Sequence, residues 1–341
     1  MITGELDRKI ERAKAIIERL DSNAPLSHVL SPVRFLSNMT DDSVMVALVD
    51  ILRFGLTNVP YQGIPFTDPA YRAAVLEHIK LCGVEDFSET SVDEVVDGLI
   101  RKGLRRDTIP QKALVVPFSV HEMENMRLPP DPVFGTRRDL LNVAYQQRKA
   151  FDETRSILAR LRAYIYDYVS RIWIEATREK ERIDLLGPDY RLITDRLDAL
   201  ESPVGGELIA AIDNLASNNP AKWSLCALGC RNIVIKLAMI LWKVPVETYT
   251  TKDGTKLDVT KNKEKNRLYA YIDTCSSKVT SEKQALLDQA KDLVRSIHEK
   301  GSKGKRAIRH NEAQTLVIDT FRLIDLLDEA TSLESVEALL G

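Results

Sequence analysis

Between residues 139 and 184 the chain carries neither glycine nor proline, and its apolar side chains recur in helical phase. No other feature narrows the choice of fold so far. Strands rarely exceed about ten residues, so an unbroken run of this length reads as helix. Ile157, Leu161, Tyr164, Tyr168 and Ile172 form one stripe, and Leu158, Ile165, Val169, Trp173 and Ala176 form a second beside it. Two adjoining stripes predict a helix covered on two sides within a bundle, with one break allowed near Ser156. Gly187-Pro188 ends the run.

The remaining punctuation gives a mostly α chain with a small N-terminal helical domain and a C-terminal helical bundle. A helix is predicted over 3–20, with Leu6, Ile10, Ala13 and Ile17 inward, and 27–36 is a second short apolar stretch. Asp41 or Asp42 starts a helix that Gly55 closes, with Val44, Leu48, Ile51 and Leu52 inward. The prolines of 57–70 make a loop, and Pro69 opens a helix to about Leu81. Ser91 caps a helix over 92–102, which gives residues 1–106 a winged or three-helix look. Five prolines between 107 and 135 mark a linker, 107–136, with one short strand over 113–116. Residues 137–341 then form the bundle. Its helices follow Pro188, Gly206 and Asn219-Pro220, the last opening the most apolar helix of the chain. An Asp-Gly turn makes a single β-hairpin near 246–260. Helices over 265–276 and 281–300, and one starting at Asn311, complete it.

Charge excludes little and assigns less. There are 48 basic and 50 acidic side chains, so the chain as a whole has no pull on nucleic acid or anionic lipid. The first twenty residues are charged throughout, unlike a secretory leader. The longest apolar run, 232–246, is interrupted by Lys236 and Lys243 and falls short of the roughly 18 residues of a membrane span. No membrane partner and a cytoplasmic location are expected. Cys82, Cys226, Cys230 and Cys275 form no CxxC pair and read as buried reduced thiols, so no metal and no cofactor are expected. Nor is there a Walker loop, GxGxxG, HExxH or GxSxG.

Several segments of the C-terminal part resemble the AbiTii family, a helical module of bacterial abortive-infection defence. They are Tyr164-Ile-Tyr-Asp-Tyr-Val-Ser with Ile193-Thr-Asp-Arg-Leu, and Ser217-Asn-Asn-Pro-Ala-Lys-Trp with Cys230-Arg-Asn. Lys265-Asn-Arg-Leu-Tyr-Ala-Tyr-Ile, Ser302-Lys-Gly, Asn311-Glu-Ala and Leu316-Val-Ile-Asp-Thr continue the likeness, over roughly 140–330. Pro25-Leu-Ser-His-Val-Leu and Pro69-Ala-Tyr-Arg carry it more faintly upstream. Where the family often has a His after Ser-Lys-Gly, this chain has Lys305 and Arg306. The resemblance implies an antiphage adaptor or sensor acting with another defence protein, with itself as an oligomer, or with nucleic acid or a nucleotide.

The family is similar in general shape to HEPN domains, which implies a second reading as an RNase effector. HEPN ribonucleases use Arg and His separated by four to six residues, His as acid–base and Arg on the transition-state charge. Only Arg72 and His78 meet that spacing. A third reading is a structural oligomerisation subunit built on the long helix. The physical lead is instead charge: Lys291–His310 and Lys252–Arg267 are both rich in cations. Lys303, Lys305, Arg306, Arg309 and His310 precede the last helix, whose N-terminus favours an anion, and Lys256 and Lys261 lie on the hairpin. If the two segments lie side by side they make one positive patch suited to the phosphates of a nucleic acid or nucleotide; otherwise they are two solvated loops. Arg231 and Arg267, within or beside apolar runs, are expected to pair with carboxylates or to hold a ligand.

Overall fold

A computed structural model of the chain describes residues 2–55, 68–83, 119–127, 137–200, 204–260, 263–301 and 308–333. Among the described residues are twelve helices and one two-stranded hairpin, the mostly α architecture expected. The chain divides into two compact units, Met1–Thr177 and Arg178–Gly341.

Unit 1 contains α1 (Ile2–Asp21), α2 (Ser27–Met39), α3 (Ser43–Phe54), α4 (Pro69–Leu81), α5 (Val120–Glu124) and most of α6 (Arg137–Leu186). Short side chains set the helix starts. Asp42 accepts from the Met45 N–H at 2.9 Å and Asp68 from the Ala70 N–H at 2.7 Å, each filling an orphan donor of a first turn. The inward face of α1 is Leu6, Ala13, Ile16 and Leu20, one residue from the expected Ile17. On α3, Met45 is buried and Val44 is exposed. Arg160 donates to the Leu81 carbonyl at 2.8 Å and Arg162 to that of Leu20 at 3.1 Å, so α6 ties down the ends of α4 and α1.

Three expectations change here. First, α6 is one helix of 50 residues without a break at Ser156. Ile157, Leu161, Ile165, Tyr168, Val169 and Ile172 form one seam in the unit 1 core, while Trp173 is 38% exposed. One broad stripe therefore replaces two covered sides. Second, the seam places most of α6 in unit 1, and the boundary falls inside this helix instead of at 136. Third, α5 lies in the segment expected to be linker. Ser119 and Glu122 form a reciprocal capping box, and Val120 and Met123 are buried in the core. The helix expected over 92–102, the strand over 113–116 and most of the proline-rich loop lie outside the described residues.

Unit 2 holds the end of α6, α7 (Tyr190–Asp198), α8 (Val204–Leu215), α9 (Pro220–Leu241), β1 (Thr248–Thr250), β2 (Lys256–Asp258), α10 (Glu264–Ser276), α11 (Ser281–Gly301) and α12 (His310–Thr331). Gly187, at φ 91°, closes α6, and its N–H reaches the Ile183 carbonyl at 2.8 Å. Asn219 caps α9 through the Ala221 N–H at 3.0 Å, with Pro220 at the tolerated first turn. By length and composition α9 could cross a membrane, contrary to the sequence reading. Here it is the central helix, packed on α8, α10, α11 and α12, with Cys226, Ala227, Cys230, Ile233, Val234 and Leu237 buried. The hairpin pairs Tyr249 with Leu257, and Gly254 at φ 84° makes its turn.

Candidate functional site

The hairpin is locked against α10. The Tyr249 hydroxyl donates to Asp273 at 2.9 Å, the Lys252 N–H reaches the same oxygen at 3.2 Å, and Tyr249 meets Trp242 edge-on at 5.3 Å. At its exit, Arg267 donates to the Val259 carbonyl at 2.9 Å and Asn266 to that of Asp258 at 2.7 Å. These bonds fix the first basic segment beside α10, and α11 packs along the same helix.

The two basic segments meet at Tyr269, whose side chain is buried between α10 and α11. Lys265 Nζ lies 5.5 Å from its ring centroid and Lys291 Nζ 5.8 Å, one ammonium from each segment. Arg295, one turn beyond Lys291, bears on the Tyr269 hydroxyl; burial nevertheless pushes that phenol up. Lys291, Arg295 and His298 follow the i, i+4, i+7 spacing of one helix face.

His298 reports the local field. Burial holds its pKa below the ordinary value of 6.5, then Lys265 and Arg231 lower it further, ahead of the opposing Glu264 and Glu299. Cations therefore outweigh carboxylates at this imidazole. Arg231 comes from α9, which α11 approaches closely because Gly301 lacks a side chain. A Cβ there would lie 3.1 Å from Arg231 Cβ. Arg231 Nε is buried and has no hydrogen-bond partner among the described residues. Arg231, Lys265, Lys291, Arg295 and His298 thus form a cationic cluster on three helices. It offers hydrogen-bond donors and positive charge to a phosphate, with Glu264, Asp292 and Glu299 setting its edge.

Other expected site residues fall differently. Arg267, expected to pair with a carboxylate or to hold a ligand, donates from Nε to the Val259 carbonyl, a bond that fastens the hairpin exit. For Arg231, expected to pair with a carboxylate or to hold a ligand, the structure shows a buried Nε without a hydrogen bond among the described residues. Arg309 is the N-cap of α12, and its N–H donates to Glu312 at 3.0 Å. That carboxylate already occupies the helix end expected to await an external anion, and it satisfies the same dipole. His310 is exposed and sits edge-on to Trp223 at 5.4 Å. Lys256 is exposed on β2. Lys261, Lys303, Lys305 and Arg306 lie outside the described residues.

Arg72 and His78 share α4, where six positions place them about 120° apart around the axis and about 9 Å along it. His78 is fully buried in the unit 1 core, with Nε2 3.9 Å from Cys82 Sγ. An imidazole with no exposed surface has no path to a phosphodiester. The thiols are likewise buried or nearly so, and burial pushes Cys82 up to about 12 and Cys275 up to about 11.

Lys265, Lys291 and Arg295 belong to the two basic segments of the sequence, whereas His298 is not among the expected site residues. Its signal was the spacing it shares with Lys291 and Arg295. Compared with protein-family models, with curated proteins and with solved structures, the chain matches none of them.

Proposed function

We propose that the protein is a non-catalytic helical adaptor or sensor that binds a phosphate-bearing partner, nucleic acid or nucleotide, on the cationic face of unit 2. The observation that carries this reading is the convergence of two separate basic segments on Tyr269, through Lys265 and Lys291. Arg231 and Arg295 extend the same face. The AbiTii resemblance supports placing this activity in antiphage defence, where another defence protein or a second copy of the chain receives the signal.

The test is fluorescence anisotropy of a labelled single-stranded oligonucleotide over a salt series. Affinity is expected to fall steeply with salt, because binding to phosphates releases counterions. Lys265→Glu with Lys291→Glu should weaken it at least about tenfold and leave the melting temperature nearly unchanged. An affinity indifferent to salt, or to the double reversal, would contradict the proposal. So would cleavage of the oligonucleotide by purified protein that a point mutation abolishes.

A further inference from the structure

Unit 1 contains an open groove of about 330 Å³ between α2, the end of α3 and α5, lined by Ser27, His28, Leu30, Ser31, Arg53, Phe54 and His121. It is chemically distinct from the face of unit 2. Among the described residues that line it, every charged or chargeable group is a cation or can become one. Among the described residues, the carboxylates that border it, Asp50 beside Arg53 and Glu124 at Ser27, are already held by other donors. Asp50 takes both hydrogen bonds of the Arg34 guanidinium, at 2.7 and 3.0 Å. Glu124 accepts from the Ser27 hydroxyl at 2.5 Å and from the Leu26 N–H, and Glu122 accepts from the Ser119 N–H at 2.8 Å.

Arg53 is poised in turn. Its guanidinium lies over the Phe54 ring, 4.8 Å from the centroid, and only 3.9 Å from an Asp50 oxygen that Arg34 already holds at 2.7 Å. A planar guanidinium held on an aromatic face keeps its edge for a bidentate acceptor. The two imidazoles come from different elements. His28 sits in the first turn of α2, and His121 sits on α5, with the Asn125 amide 3.2 Å from a ring nitrogen. Glu124 pins α5 to the start of α2, so the same short helix that carries His121 is fixed beside His28. Imidazole donates N–H in either protonation state.

We infer that this groove binds the phosphate of a small phosphate monoester, with Arg53 as the charged anchor and His28 and His121 as donors on either side. The chain has five histidines, so imidazole proton signals can be followed individually by NMR. Inorganic phosphate and adenosine monophosphate serve as probes. The His28 and His121 signals should move together and saturably, with one dissociation constant of about 1 mM or tighter and AMP at least as tight as phosphate. Arg53→Gln should weaken both probes at least about tenfold. His121→Gln, at an exposed position, should weaken them while leaving the circular dichroism unchanged. Lys265→Glu in unit 2 should leave both titrations unaltered, which separates this site from the oligonucleotide face. Unsaturable shifts, different midpoints for the two histidines, unaltered binding in both variants, or exclusion of AMP where phosphate binds would overturn the inference.

Discussion

His298 carries the most readable chemistry of any single residue in the cluster. Its pKa lies below 6.5 through burial first and the Lys265 and Arg231 charges next. An NMR titration should therefore find its midpoint below 6.5, and Lys265→Ala should move it upward. The folded state holds this imidazole neutral where the unfolded chain would protonate it. The contribution to stability is thus present above the unfolded pKa and is lost as the pH falls through the folded one. His298→Gln should flatten that acid-side decline in denaturation experiments. Arg231 separates packing from binding. Its stem is packed under Gly301 and its Nε is buried without a hydrogen bond. Arg231→Met keeps the stem and removes the desolvated charge, so the melting temperature should hold or rise while oligonucleotide affinity falls severalfold. A loss of stability with unchanged affinity would show that this arginine serves packing alone.

At the scale of elements, α7 and α8 approach closely at Gly205. A Cβ on Gly205 would sit 2.6 Å from the Thr194 carbonyl oxygen and 2.6 Å from an Asp198 oxygen, whereas one on Gly206 meets nothing within 4 Å. Gly205→Ala should cost about 1–3 kcal/mol in urea denaturation, and Gly206→Ala should be neutral or slightly stabilising. Equal effects would mean that the helices give way at this joint. The same locality explains what the sequence made legible. Asp42, Asn219, Gly187 and Gly254 act within a few residues, so their turns and caps were visible in order along the chain. The face of α1 slipped by one because Ile16 and Ile17 are neighbours and only packing chooses between them. The helix α5 was hidden by the prolines that flank it in the sequence, Pro117 and Pro129, although Ser119 and Glu122 carry the spacing of a capping box. The cluster was half visible. Its cations could be counted, but their meeting at Tyr269 depends on how α10 packs on α11, which no local pattern encodes.

At the scale of the molecule, each unit closes its own core. Leu161 is fully buried in the core of unit 1 and Leu237 in that of unit 2. Truncating either to Ala should cost about 2–5 kcal/mol. Amide exchange should then accelerate across the substituted unit, and uniform acceleration over both would contradict independent cores. The proposed function places a phosphate-bearing partner on unit 2, where cations outweigh carboxylates at a single reporting imidazole. That balance gives the account its most direct test: the NMR midpoint of His298 with and without a saturating single-stranded oligonucleotide. Phosphates seated among Lys265, Lys291 and Arg231 would offset the cations that depress it, so the midpoint is predicted to rise on binding. A midpoint unchanged at saturation would place the nucleic acid elsewhere and contradict the account.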